Sequence, residues 1–430
     1  MKKNHAKYII CFIFAIAAAV PGIYLRLVGH EQLSGVSDFG LSPVILGTIL
    51  SGVSILGASF LLLWACDAVQ SDISQTLALA VVALIAVLPE YAVDMYFTWQ
   101  AGQYPDGNYA HYAIANMTGA NRLLIGVGWS AIAVLAWIKT KKSVHLGPER
   151  RTELFFLGAA TLYAFFIPIK GTLEWYDAIV FLGLYVWYIV VASKRPIEEV
   201  EVEGPSDLII NLPKKKRRVI TLSMFLFAGL TILANAEPFS EGLVKTGGLL
   251  HINEFLLVQW LAPIASEAPE FIVAIIFTLR GQSGMALGSL LSSKLNQWTL
   301  LVGMIPLVYG ISAHTFAHPL PMGSLQMNEI LLTAAQSLMA VVVLASMRLT
   351  VSQAILIFFM FIGQFIAPII VGAHPNWVPF SIKGEDVHKV FSIMYIWIAV
   401  ALYLDTPSRL STIWRGAKVH VDIVKTDCDS

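Results

Sequence analysis

Two apolar stretches carry a carboxylate directly after a proline. In "VALIAVLPEYAVDMYF", residues 82–97, Pro89 precedes Glu90, and Asp94 follows one helical turn later. In "QWLAPIASEAPEFIVAIIF", residues 259–277, the pair recurs as Pro269-Glu270, with Glu267 one turn earlier. An acidic side chain at the centre of a bilayer costs about 2.5–3.5 kcal/mol on insertion scales, so it persists where it pairs with a base, takes a proton or binds a cation. Proline adds a second feature. It lacks an N–H, so the carbonyl four residues earlier, Ile85 or Ala265, is left needing another partner. A carboxylate beside such a carbonyl is the start of an oxygen cage for a hard cation.

The elements that must position these groups are membrane helices. Of 430 residues, 57% are hydrophobic and 13% charged, with a mean hydropathy of +0.71. Soluble chains carry roughly 25% charged residues. The formal net charge is zero, which points to no nucleic-acid partner. Cys11, Cys66 and Cys428 are far apart and form no disulfide framework or metal-ligand spacing. No G-x-x-x-x-G-K-[ST] motif is present, so no nucleotide is expected as a partner. The chain reads as an all-α, multi-pass membrane protein.

About 20 apolar residues are needed to span a bilayer. The spans read as approximately 8–28, 41–66, 73–98, 109–138, 152–169 and 173–192, then 218–237, 253–279, 283–312, 328–347, 351–372 and 388–404, about twelve in all. The first also resembles a signal sequence in its basic start and its small-residue end, and is taken as a retained helix. With the N-terminus inside, most loop bases fall inside, including Lys139, Lys141, Lys142 and the run Lys214 to Arg218. That bias supports the orientation. Arg122 and Lys294 fall within spans. The polar loop "SKRPIEEVEVEGPSDLIINLPKKKRR" near the midpoint reads as a linker whose basic run anchors topology.

Aligning the two Pro-Glu pairs aligns the helices that follow, "ANMTGANRLLIGVGW" (115–129) and "GSLLSSKLNQWTLLVG" (288–303). Small residues recur at Ala115/Gly288, Gly119/Ser292 and Ala120/Ser293, where they let helix backbones approach closely in lipid. The two Glu-bearing helices run in opposite directions, so the halves are inverted, the plan of many secondary transporters with a midplane site.

The paired halves resemble the two α-repeats of the cation/calcium exchanger superfamily, whose pattern is G-T-S-x-P-E on one helix and G-N-x-x-G-S-N on the next. Pro-Glu is kept twice; Asn116 and Gly119 keep part of the second motif in the first half, Gly288 and Ser293 in the second. The resemblance implies an inverted repeat of two five-helix halves with one extra helix at each end. The corresponding boundaries are 1–40 (extra helix), 41–192 (first repeat), 193–217 (cytoplasmic linker), 218–372 (second repeat) and 373–430 (extra helix and tail).

It further implies a secondary cation antiporter of the cell membrane, not an enzyme. Inorganic cations would be its cargo and lipid its surroundings, with no cofactor. Sodium/calcium exchange is the first expectation, and sodium/proton or calcium/proton exchange the alternative. A nontransporting scaffold or sensor, neutralised by its own bases, is the reading from another class. Glu90 and Glu270 are the implied metal ligands. Asn116, Ser266 and Ser289 would donate side-chain oxygens; each alone is more often an interhelical hydrogen-bonding residue. Glu267 reads equally as a ligand, a proton carrier or a salt-bridge partner, and Asp94 as a vestibule group or a ligand.

The chain departs from the family pattern where Ala86 and Val87 precede Pro89, at Ser289, and where Lys294 replaces the closing amide that Asn121 keeps. Lys294, Arg122 and Asp94 are expected as charge-compensating neighbours. Lys294 is expected near the carboxylates or, alternatively, turned away toward a helix end or a carbonyl.

Overall fold

A computed structural model describes residues 2–28, 42–73, 85, 87–194, 204–373 and 384–415. Most of the first half of the expected span 73–98, the acidic part of the central loop and the tail beyond 415 lie outside these residues.

The chain is nearly all helix. In order, α1 is Lys2–Val28, α2 Pro43–Gln70, α3 Leu88–Gln103, α4 Tyr109–Thr140, α5 Pro148–Lys170 and α6 Trp175–Ala192. Then come α7 Lys214–Leu250, α8 Glu254–Leu279, α9 at 283–312, α10 Ser324–Leu344, α11 Val351–Ala373 and α12 Gly384–Asp405. Among the described residues, 10 helices are long and apolar enough to cross a membrane; α3 and α9, which carry site residues, are outside that set. The end helices are part of the packing: α1 lies along α2, and α12 along α10.

Three local features differ from the sequence reading. The expected span 218–237 belongs to α7, a helix of 37 residues. The basic run forms its first turn instead of staying in the loop. Arg217 Nε and Nη2 donate to Asp72 just past α2, each at 2.8 Å. These hydrogen bonds, with the charges of Arg217 and Arg218, pull the Asp72 carboxyl down to about 2. Among the described residues, the interface of α2 with α7 is the most extensive, and this fork pins one end of it. Further along α7, the hydroxyls of Tyr96 on α3 and Tyr109 on α4 both donate to Glu241 Oε1 at 2.9 Å.

The second difference lies at the prolines. Pro89 does not bend a continuous helix: α3 begins at Leu88, after a turn at Val87. Proline in the first turn forfeits no intrahelical bond, since that N–H has no partner there. In the second half, α8 runs unbroken through Pro263 and Pro269. Ser266 Oγ donates to the Ala262 and Pro263 carbonyls at 3.2 and 3.3 Å, inside the helix that the prolines weaken.

The third concerns α4 and α9. Each contains a stretch wound as π-helix, Leu124–Trp129 and Gln297–Leu301, directly after the small-residue motif. One wider turn there re-aims the side chains that follow, a device common at functional sites.

Candidate functional site

Glu90 sits in the first turn of α3, where the helix N-terminus favours a carboxylate. Glu267 and Glu270 lie one turn apart on α8. Glu90 and Glu267 are 2% and 0% exposed, while Glu270 is half-buried. What joins the two halves is Gln297 on α9. Its Nε2 donates to Glu90 Oε2 at 2.8 Å and also to Glu267 Oε1. The Glu90 and Glu267 carboxyls are within hydrogen-bonding reach of each other. One turn before Gln297, Ser293 Oγ donates to Glu270 Oε2. A single face of α9 therefore addresses all three carboxylates.

Several oxygens of this cluster are unused. Among the described residues no donor reaches Glu267 Oε2, Gln297 Oε1 or Asp94 Oδ2. Such oxygens suit a hard cation, which takes carboxylate and amide oxygens together. The described His, Cys, Asp and Glu side chains do not converge on a ready-made metal cage; Gln297 and Ser293 hold the carboxylates by hydrogen bonds instead.

The other expected site residues divide. Asn116 Nδ2 donates to Asp94 Oδ1 at 3.3 Å, one turn along α3 from Glu90. Ser266 spends its hydroxyl within α8, while Ser289 is exposed, one turn before Ser293 on the same face of α9. Arg122 does not face the cluster: its Nη2 pairs with Glu329 on α10, and both side chains are 1% exposed. Glu329 Oε2 also accepts from Gln259 Nε2 at 2.8 Å, and Oε1 lies 3.1 Å from His388 Nδ1 on α12. The Arg122 guanidinium rests over the Trp260 ring. Lys294 Nζ donates to Asn121 Oδ1 at 2.8 Å and lies 4.4 Å from the centre of the Trp298 ring. It is neither at a helix end nor paired directly with a carboxylate.

Gln297 and Glu329 are the residues that sequence reasoning missed. Gln297 stands four residues after Ser293, hence on the same helical face; that spacing was its signal. Glu329 falls at the edge of an expected span, where an acidic residue draws no notice. Gly119 acts through its missing side chain: a Cβ there would sit 1.8 Å from the Gln259 carbonyl oxygen, so glycine is what lets α4 close on α8.

Carboxylates from separate helices are thus gathered inside a bundle of helices long and apolar enough to cross a membrane. The sodium/calcium exchanger protein family matches residues 8–194 and 220–370, and the chain belongs to that family. It is similar to the crystal structure of an H+/Ca2+ exchanger, CAX, with 42% identity, 94% of this chain and 98% of that one covered, and a TM-score of 0.82. It shares its fold with the sodium-calcium exchanger NCX_Mj at 19% identity, covering 75% of this chain and 98% of that one, with a TM-score of 0.52. An uncharacterized membrane protein of Methanocaldococcus jannaschii is 25% identical over 219 residues, which is 50% of this chain. The match spans 64% of that relative's length.

Proposed function

We propose that the protein exchanges calcium for protons across the cell membrane, with Glu90, Glu267 and Glu270 holding either the cation or the protons. The observation that carries this reading is the Glu90–Glu267 pair bound to one Gln297 amide. Two carboxylates at that separation cannot both stay ionised without a cation between them; otherwise a proton takes its place. Binding of a divalent cation expels the proton, and protonation expels the cation, which is the competition an antiporter needs.

The similarity to an H+/Ca2+ exchanger supports the proton as counter-ion. So does the fate of the groups that sodium would use. Ser266 is spent on its own helix, and Lys294 stands where the first half has the Asn121 amide. The reading thereby moves from sodium/calcium exchange to the calcium/proton alternative. The scaffold reading loses support because Arg122 is taken by Glu329 and leaves the cluster without a permanent salt bridge.

The test is calcium uptake into vesicles containing the purified protein, with pH and sodium gradients imposed separately. Uptake should follow the pH gradient and ignore sodium. Glu90→Gln and Glu270→Gln should each abolish it in a protein that still folds, because removing a buried charge relieves a cost. Uptake driven by sodium at constant pH would overturn the proton assignment; normal uptake by Glu270→Gln would overturn the site.

A further inference from the structure

Between α1, α2 and α8 lies a cavity of about 620 Å³, within the roughly 300–1,000 Å³ typical of small-molecule sites. Its walls are apolar, with Cys11 and Phe14 from α1, Phe60 and Trp64 from α2, and Val273 and Ile276 from α8. Where α1 meets α2 the packing is tight: a Cβ on Gly57 would sit 2.6 Å from the Ala15 carbonyl oxygen. Phe12 also meets Trp64 edge-on, with ring centroids 4.7 Å apart. The space therefore lies between that helix pair and α8. Polar groups gather at one end of it. Lys7 near the start of α1, Asp67 near the end of α2 and Arg280 just past α8 line that end, together with Ser206. Ser206 Oγ donates to Asp67 Oδ2 at 3.1 Å. This is also the end at which Arg217 of α7 holds Asp72, the basic face of the bundle and hence its inner one.

We propose that this cavity is a binding site for an anionic phospholipid of the inner leaflet, with one acyl chain along α2 and α8 and the phosphate against Lys7 and Arg280. Its depth suits such a chain. From Leu56 to Asp67 the lining runs 11 residues along α2, about 16 Å at the helical rise. One leaflet's share of a roughly 30 Å hydrocarbon core is about 15 Å. The walls exclude a polar occupant, since an ion or a sugar there would leave its polar groups unpaired. The charge at the mouth favours an anionic headgroup: two bases stand against one carboxylate, and anionic lipid is drawn to basic groups at the inner surface. Asp67 adds an acceptor for a headgroup hydroxyl, which phosphatidylglycerol has and a choline headgroup lacks. Val273 and Ile276 follow Glu270 on α8, so a chain in the cavity bears on the helix that carries Glu267 and Glu270. The proposal is independent of which ions are exchanged.

The experiment uses the full chain in mild detergent, with phosphatidylglycerol or phosphatidylcholine of identical acyl chains added. In native mass spectrometry the protein should retain one phosphatidylglycerol per chain, at several-fold higher occupancy than phosphatidylcholine. Combining Lys7→Gln with Arg280→Gln should remove that preference. Combining Lys215→Gln with Lys216→Gln, on the same face but off the cavity, should leave it unchanged. Cys11→Trp, which fills the slot, should lower the retention of both lipids. Phosphatidylglycerol should also raise the unfolding midpoint of the native protein by a few degrees, because a ligand held by the folded state alone stabilises it. The Cys11→Trp protein should show no such shift, and a cooperative melting transition shows that each variant has folded. Equal retention of the two lipids by the native protein would overturn the proposal without recourse to any variant. So would loss of the preference in the Lys215 and Lys216 variant, or undiminished retention by Cys11→Trp, either of which puts the lipid elsewhere on the surface.

Discussion

Arg122 on α4 and Glu329 on α10 form an ion pair inside the bundle, each side chain 1% exposed. The pair is served by Gln259 and His388, so four helices meet at one pair of charges. Breaking a buried pair by removing one partner strands the other, at about 3–5 kcal/mol, whereas replacing both with apolar groups can be neutral. Arg122→Met and Glu329→Leu should each lower the unfolding midpoint of the detergent-solubilised protein sharply. The double substitution should recover most of that loss. A double variant no better than the worse single would show that the pair does not act as a unit.

Gln297 is the only residue that donates to carboxylates of both halves among the described residues. Hydrogen bonds to charged groups contribute about 1.5–3 kcal/mol each. Gln297→Leu should therefore raise the calcium concentration for half-maximal uptake by at least about tenfold, with protein yield and folding little changed. Calcium-dependent uptake at fixed pH gradient measures this, and an unaltered half-saturation would remove Gln297 from the site.

Much of this arrangement was legible before any coordinates. Pro-Glu repeated after half a chain, with small residues on the following helices, pointed to Glu90, Glu270 and a close approach by the helices that follow them. The partners were not legible, because a partner is a matter of which helices meet. The sequence places Arg122 and Lys294 near the motifs, but only packing against α10 gives Arg122 to Glu329. Only the crossing of α4 and α9 gives Lys294 to Asn121. Helix ends were blurred for a similar reason. Hydropathy marks where lipid is, whereas the start of α7 is held by the tie of its Arg217 to Asp72.

The Asp72–Arg217 fork predicts a pH dependence. The carboxyl falls from an ordinary 3.8 to about 2 in the folded protein. A depressed carboxylate stabilises the fold above its unfolded value, and that contribution is lost as the pH falls through the folded value. The unfolding midpoint of the native protein should exceed that of Asp72→Asn at pH 6, and the gap should close between about pH 4 and pH 2. A gap that stays constant through that window would mean the fork contributes no pH-linked stability.

Gly119 and Gly288 occupy related motifs and should respond differently to the same added methyl group. At Gly119 a Cβ would meet the Gln259 carbonyl oxygen at 1.8 Å, a backbone atom of α8 that cannot swing away. At Gly288 the nearest atoms belong to the Arg150 side chain, with Nε at 2.7 Å, and Arg150 is long and partly exposed. Overpacking in a close-packed interior costs about 1–3 kcal/mol, and at Gly119 it also forces α4 away from α8, which carries Glu267 and Glu270. Gly119→Ala should lower both the unfolding midpoint and the rate of calcium uptake, while Gly288→Ala should lower neither appreciably. Equal tolerance at the two positions would mean that the α4–α8 approach is not what holds the carboxylates in place.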